Sequence, residues 1–217
     1  MPLRIAQTGD IHLEQDRYFT DTSQCLEWFV EDAISANTDL FVVNGDLTTY
    51  KQTIQERNLW VDTLIQMGNH APIILVAGNH GRELDGDLHV LARAKAAHPI
   101  YLCTEPDMIE IGEAAIAVFP YPRKAEMAGN EHSLGENFAG QLGEFNRRFE
   151  QRPGSYKLFF GHFGVAAARV SSTIGFAPAS RAARSASSTA LAPSRTGSRG
   201  QVASTHARLF NASTLPG

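Results

Sequence analysis

Residues 40–47 read Leu40-Phe41-Val42-Val43-Asn44-Gly45-Asp46-Leu47. Four apolar residues in succession, aromatic or β-branched in three cases, have the composition of a strand buried on both faces. The run ends at a glycine and delivers an aspartate directly behind it. The same arrangement recurs on either side. Leu3-Arg4-Ile5-Ala6 leads to Gly9-Asp10-Ile11-His12, Ile73-Ile74-Leu75-Val76 to Gly78-Asn79-His80, and Leu158-Phe159-Phe160 to Gly161-His162. In open α/β sheets ligands gather at the carboxyl ends of strands, so residues distant in sequence converge there. A glycine beside each ligand lets the backbone turn sharply and approach an ion closely. A single Asp-x-His carries little weight, because any surface loop can contain one. Four such turns, each behind an apolar strand, make chance placement a poor explanation.

Between these turns the period changes. Cys25, Leu26, Phe29, Val30, Ala33 and Ile34 recur at helical spacing, as do Trp60, Val61, Leu64 and Ile65. Ala114 to Phe119 reads as a further strand. Thr53 with Glu56, and Ser133 with Glu136, match the capping box, in which side chains satisfy free N–H groups at a helix start. The second box opens a segment with Phe138, Leu142, Phe145 and Phe149 on one face. Trp28, Trp60 and this phenylalanine stripe are expected to pack on a sheet rather than to stack on bases. His70, His89, His98 and His132 have no ligand partner nearby and are expected at the surface or in packing. Strand and helix alternate from Leu3 to about Val165, which implies an α/β fold with a largely parallel sheet covered by helices.

Bulk properties narrow the class. A net charge of -4 with 43% apolar residues excludes both a disordered chain and a polycation built to coat nucleic acid. Cys25 and Cys103 have no metal-type spacing and cannot build a multi-bridge framework, so both are expected as buried thiols in a reducing compartment. The start, Met1-Pro2-Leu3-Arg4-Ile5-Ala6, lacks a signal-peptide apolar run, and no later stretch has the length to span a bilayer. A cytoplasmic location is the expectation.

Beyond Val165 the alternation stops. No Asp or Glu follows Glu150, and Ala, Ser, Arg, Thr, Gly and Pro dominate. Too few large apolar residues remain to offset ordering entropy, so residues 165–217 are expected to be a low-complexity, poorly structured tail. Arg169, Arg181, Arg184, Arg195, Arg199 and Arg208 would suit a basic arm for phosphate backbones. The composition fits better with GC-rich codons read out of frame, and hence with a frameshifted or aberrant C-terminus.

The side chains behind the four strands form a coherent ligand set. Asp10 and Asp46 offer carboxylates able to bridge cations, His12 and His162 offer imidazoles, and Asn79 offers a neutral amide oxygen. A nitrogen and oxygen set without thiolate suits Mn²⁺, Fe or Zn²⁺ better than a structural zinc site. Two ions roughly 3.5–4 Å apart can clamp a phosphoryl group and lower the pKa of bound water. Phosphate ester hydrolysis is the implied reaction.

In this order Asp10-x-His12, Gly45-Asp46, Gly78-Asn79-His80 and Gly161-His162 resemble the first four sequence blocks of the calcineurin-like metallophosphoesterases, over residues 1–164. The resemblance implies a β-sandwich flanked by helices, in the layer order αββα, with two divalent metal ions. It implies Asp10 and His12 as ligands of the first metal, Asp46 as the bridge, and Asn79 and His162 as ligands of the second. His80 resembles the histidine that contacts the scissile phosphate and assists the leaving oxygen. Asp10-Ile11-His12-Leu13 and Gly45-Asp46-Leu47 are most similar to the SbcD-type nuclease subunit of bacterial DNA repair exonucleases. That likeness implies DNA as substrate and an SbcC-like ATPase partner. A phosphatase of small molecules or phosphoproteins would use the same centre.

Two departures from the family pattern stand out. Gly81 occupies the place where the family carries Asp or Glu after Gly-Asn-His, which leaves Glu83, Asp85 and Asp87 as the nearby carboxylates to support His80. The family's final Gly-His-x-His block, which supplies one more ligand to each metal, has no counterpart. The domain is therefore expected to be C-terminally incomplete, and a truncated, non-catalytic chain is the alternative from another class. His206, in Thr205-His206-Ala207, has no apolar strand before it and is not expected to be a ligand.

Overall fold

The computed structural model describes residues 3–122, 134–152, 156–164 and 208–212. Among the described residues eight strands and four helices follow one another: β1 (Leu3–Thr8), α1 (Phe19–Ser35), β2 (Leu40–Asn44), α2 (Ile54–His70), β3 (Ile73–Val76), α3 (Asp87–Leu91), β4 (Ile100–Cys103), β5 (Asp107–Ile111), β6 (Ala114–Phe119), α4 (Leu134–Glu150), β7 (Tyr156–Gly161) and β8 (Arg208–Ala212). A single 3₁₀ turn, Glu83–Asp85, lies between β3 and α3.

The strands form two sheets. One has the order β4-β3-β2-β1-β8, with β1 to β4 mutually parallel and β8 antiparallel to β1; the other has the order β5-β6-β7. Strand periodicity sends alternate side chains to opposite faces. Ala6, Phe41, Val43, Ile73 and Leu75 meet Leu26, Val30, Ala33, Trp60, Leu64 and Met67 of α1 and α2. Their neighbours Ile5, Leu40, Val42, Ile74 and Val76 turn the other way, against Ile109, Ile116, Val118 and Phe160 of the second sheet. The outer face of that sheet, through Met108, Ala117 and Phe119, packs on Phe138, Leu142, Phe145 and Phe149 of α4. Helices, sheet, sheet and helix thus form the four-layer αββα arrangement expected from the sequence. Because β1, β2 and β3 run parallel, their carboxyl ends emerge side by side.

The Thr53–Glu56 capping box is present, with the Thr53 hydroxyl accepting from the Glu56 N–H and the Glu56 carboxylate accepting from the Thr53 N–H. Ser133 lies outside the described residues. Two expectations are corrected on α1. Cys25 is exposed rather than buried, and Trp28 is 55% exposed rather than packed on the sheet. The helix buries Leu26, Val30 and Ala33, and both side chains fall off that narrow stripe. Trp60 and Cys103 are buried as expected.

The short strands β4, β5 and β8 and the five-residue α3 were not anticipated. Of residues 165–217, only 208–212 are described, and their backbone adds a fifth strand to the first sheet at the β1 edge. His206 lies outside the described residues. Among the described residues no helix is long and apolar enough to cross a membrane.

Candidate metal centre

Asp10 and His12 follow β1, Asp46 follows β2, Asn79 and His80 follow β3, and His162 follows β7. Each turn begins at the end of a strand that contributes to the core, through Ile5 and Ala6, Val42 and Val43, Leu75 and Val76, and Phe160, so core packing fixes where the chain must leave the sheet. Asp10, His12 and Asp46 adopt left-handed backbone conformations, with φ of 52°, 49° and 54°. Such conformations are sparsely populated by residues other than glycine and persist only where the surroundings impose them. Here main-chain bonds do so: Asp10 N–H to the Gly45 carbonyl (3.0 Å), His12 N–H to the Asp46 carbonyl (2.9 Å) and Leu13 N–H to the Leu47 carbonyl (2.9 Å).

Asp46 is the hub. Its side chain is 4% exposed, and its two oxygens differ in role. Oδ1 accepts from the backbone N–H groups of Asn79 and His80, at 2.8 Å each. Oδ2 faces three imidazole nitrogens: Nε2 of His162 at 3.3 Å, of His12 at 3.6 Å and of His80 at 4.0 Å. The His12 and His80 rings meet edge to face, 4.6 Å apart. Close approach explains the glycines. A Cβ on Gly78 would lie 2.2 Å from Asp46 Oδ1, and one on Gly45 would lie 2.3 Å from His162 Nδ1.

His162 is aimed by its other nitrogen. Nδ1 lies 2.9 Å from the Asn44 carbonyl oxygen, an acceptor only, so Nδ1 carries a proton. Nε2 then faces Asp46 Oδ2 and, at 3.3 Å, Asn79 Oδ1. Asn44 also ties the two sheets together, since its Nδ2 donates to the Gly161 carbonyl at 3.0 Å. Among the described residues the buried Asn44 Oδ1 atom has no hydrogen-bond partner. This asparagine was missed in the sequence; its position directly before Gly45-Asp46 was the available signal.

The charges are strongly coupled. Burial of Asp46 favours its neutral form, but the His162 hydrogen bond, the His80 amide and the charges of both imidazoles outweigh it and hold the carboxyl below its ordinary value. Burial alone would lower the pKa of His162. The Asp46 hydrogen bond, the Asn44 carbonyl and the charges of Asp46 and Asp10 prevail and raise it to about 9. Asp46 Oδ2, Asn79 Oδ1 and His162 Nε2 thus converge on one point.

All six residues singled out in the sequence reach this one region. Ligand atoms of His12, Asp46 and His80 lie within 4.8 Å of one another, and so do those of Asp10, Asp46 and His162. Asp46 belongs to both groups. A mixed carboxylate, imidazole and amide set, without thiolate, fits divalent transition metals. The two groups pair the side chains as His12 with His80 and Asp10 with His162, whereas the family resemblance pairs Asp10 with His12.

The place of Gly81 is also explained. Its φ is +60°, and a Cβ there would lie 2.8 Å from Thr48 Oγ1 and 3.0 Å from the Tyr50 carbonyl oxygen. Among the substitutes weighed for the absent carboxylate, Asp85 pairs with Arg82 across 4.0 Å. Glu83 turns instead to the main chain of the ligand loops, and burial raises its carboxyl to about 7, the Asp46 charge adding to that rise against the pull of its backbone donors.

Residues 3–164 match the family described as calcineurin-like phosphoesterase. The chain belongs to that family, whose members are metal-dependent hydrolases of phosphate esters and typically bind two divalent ions. No curated protein is significantly similar in sequence. Among solved structures, the chain is similar to GAP50, described as the anchor in the inner membrane complex of Plasmodium, with a TM-score of 0.45 at 12% identity. That similarity covers 74% of this chain and 54% of the Plasmodium chain, so the chain spans about half the length of that protein.

Proposed function

We propose that the chain is a two-metal DNA phosphodiesterase, with Asp46 as the ligand common to both ions. The observation that carries this reading is the position of Asp46 Oδ2, which faces His12, His80 and His162 at once while Oδ1 is held by two backbone N–H groups. His12, Asp10, Asn79 and His162 complete the ligand set. Two divalent cations, when bound, would supply Lewis acidity toward a phosphoryl oxygen and lower the pKa of water. His80, with its side chain 43% exposed, lies on the open side of the group and is the residue proposed to stand near the leaving oxygen. Asn44 holds His162 in the tautomer that presents Nε2 to a cation.

DNA as substrate and an SbcC-like ATPase as partner rest on the likeness of Asp10-Ile11-His12-Leu13 and Gly45-Asp46-Leu47 to SbcD-type nucleases, Mn²⁺ on the thiolate-free nitrogen and oxygen ligand set, and a cytoplasmic location on the lack of a signal-peptide run at residues 1–6. Metal content per chain, followed by hydrolysis of a DNA hairpin and of a phosphomonoester, tests the proposal. Two bound ions and Mn²⁺-dependent cleavage of the hairpin are expected. Turnover of the monoester alone would favour a phosphatase, and a chain that binds no metal would overturn the reading.

A further inference from the structure

Glu83 is 1% exposed, and its carboxylate is spent wholly on main chain. Oε2 accepts from the Gly78 N–H at 2.7 Å and the Asp46 N–H at 3.2 Å; Oε1 accepts from the Leu47 N–H at 2.5 Å. These three donors belong to two loops that are joined through no strand ladder at this level: the Asp46 loop after β2 and the Asn79–His80 loop after β3. We propose that Glu83 is the positioning residue of the metal centre, tying the two ligand-bearing loops together and setting the separation of the side chains they carry.

The geometry gives the tie little freedom. Gly78 comes so near Asp46 that a single added carbon would overlap Oδ1, and the next two N–H groups, of Asn79 and His80, bond to that same oxygen. The Glu83 bonds and the Asp46 bonds therefore bracket one short contact from both sides. A carboxylate is the side chain suited to this place, because it presents two acceptor oxygens and no donor. Glutamine would turn an NH₂ group toward an amide that needs an acceptor. Aspartate is shorter by one methylene. Removing the carboxylate leaves three N–H groups without acceptors beside the ligands, and buried unsatisfied groups of this kind draw the chain toward other arrangements.

This inference rests on the proposed metal-binding reading for its functional meaning but is testable without a cation. In the full-length chain, Glu83→Ala, Glu83→Gln and a core control, Met67→Ala, would be compared by amide hydrogen exchange without added metal and by Mn²⁺ titration. Met67 is fully buried in the core, in the last turn of α2, and takes part in none of the hydrogen bonds that join the ligand loops. The expected result is exchange at least about tenfold faster at Asp46, Asn79 and His80 in Glu83→Ala, with Glu83→Gln in between and Met67→Ala unchanged at these sites. Mn²⁺ affinity is expected to fall about 10- to 100-fold in Glu83→Ala and to hold in the control. Asn79 and His80 donate to Asp46, not to Glu83, so faster exchange there reads loop separation rather than loss of a direct bond. Wild-type exchange at Asn79 and His80 in Glu83→Ala, or an effect no larger than that of Met67→Ala, would overturn the inference. Should Glu83→Ala fail to fold, wild-type exchange in Glu83→Gln overturns it equally. A wild-type chain that binds no Mn²⁺ refutes the proposed function, and the exchange data still decide the role of Glu83.

Discussion

Raising the pH of the metal-free chain through about 9 removes the proton that His162 holds toward Asp46 Oδ2 and Asn79 Oδ1. Burial opposes that proton, but the Asp46 hydrogen bond, the Asn44 carbonyl and the neighbouring carboxylate charges retain it, and the pKa moves from 6.5 to about 9. The folded-state value lies above the unfolded one. Its stabilisation is therefore complete below about pH 6.5 and is lost as the pH rises through about 9. At about 1.4 kcal/mol per unit, the shift corresponds to about 3 kcal/mol. A cation bound at Nε2 must displace the same proton, so its affinity moves the opposite way. At neutral pH, about two units below the titration point, affinity is expected to be about 100-fold under its limit and to gain about tenfold per pH unit. The assay pairs Mn²⁺ calorimetry between about pH 7 and 8.5 with thermal denaturation of the metal-free protein. His162→Asn offers an amide oxygen with no proton to displace, so its affinity should rise less steeply and its metal-free stability should fall less over the same interval. Equal affinity slopes in the two proteins, or a wild-type stability that rises with pH relative to the variant, would refute the proton-for-cation exchange.

Asp46→Asn is expected to weaken both ions, because Asp46 belongs to both ligand groups, whereas His12→Ala should chiefly weaken one; metal stoichiometry by equilibrium dialysis separates the two cases. Thr53→Ala removes the α2 cap at a cost of about 1 kcal/mol. The thermal midpoint should drop by roughly 2–4 °C with Mn²⁺ affinity unchanged. Removing residues 208–217 takes β8 from the β1 edge and should promote self-association through the exposed strand, measurable by light scattering.

Parallel strands were the most legible elements: β2, β3 and β6 are buried apolar runs, and β1 and β7 keep enough apolar residues beside exposed Arg4 and Lys157 to read as strands. The ligand residues were legible for a related reason: a glycine and a polar residue directly behind such a run announce a strand end that turns toward something. β4 and β5 were less so. Ile100-Tyr101-Leu102-Cys103 is only four residues long and mostly half-buried, and Asp107–Ile111 mixes Asp and Glu with its apolar residues. The capping box of α2 was visible, but the outer face of α1 was misjudged: Cys25 and Trp28 fit a helical period without falling on the stripe that is buried. The position of Asn44 before Gly45-Asp46 was a signal, but its contacts and those of Glu83 could not be read from the sequence. Both depend on which main-chain groups two other loops bring near, and no local pattern encodes that.

The ligand loops behave as a continuation of the sheet. Pairing of β1 with β2 ends in register at Thr8 and Val43, yet the chains stay bonded through Asp10 with Gly45, His12 with Asp46 and Leu13 with Leu47, and Leu13 and Thr48 form a last parallel bridge. Three left-handed residues, Asp10, His12 and Asp46, fall within this stretch. Backbone strain of this kind persists only where the surroundings over-determine it. The β1 loop is held by the β2 loop, and the β2 loop is held to the β3 loop by Glu83 and by Asp46 Oδ1. None of these bonds involves the Asp46 Oδ2, His12, His80 or Asn79 atoms that would meet a cation. The scaffold can therefore hold its ligand geometry before any ion arrives, which is the condition under which binding free energy goes to the metal rather than to ordering the loops.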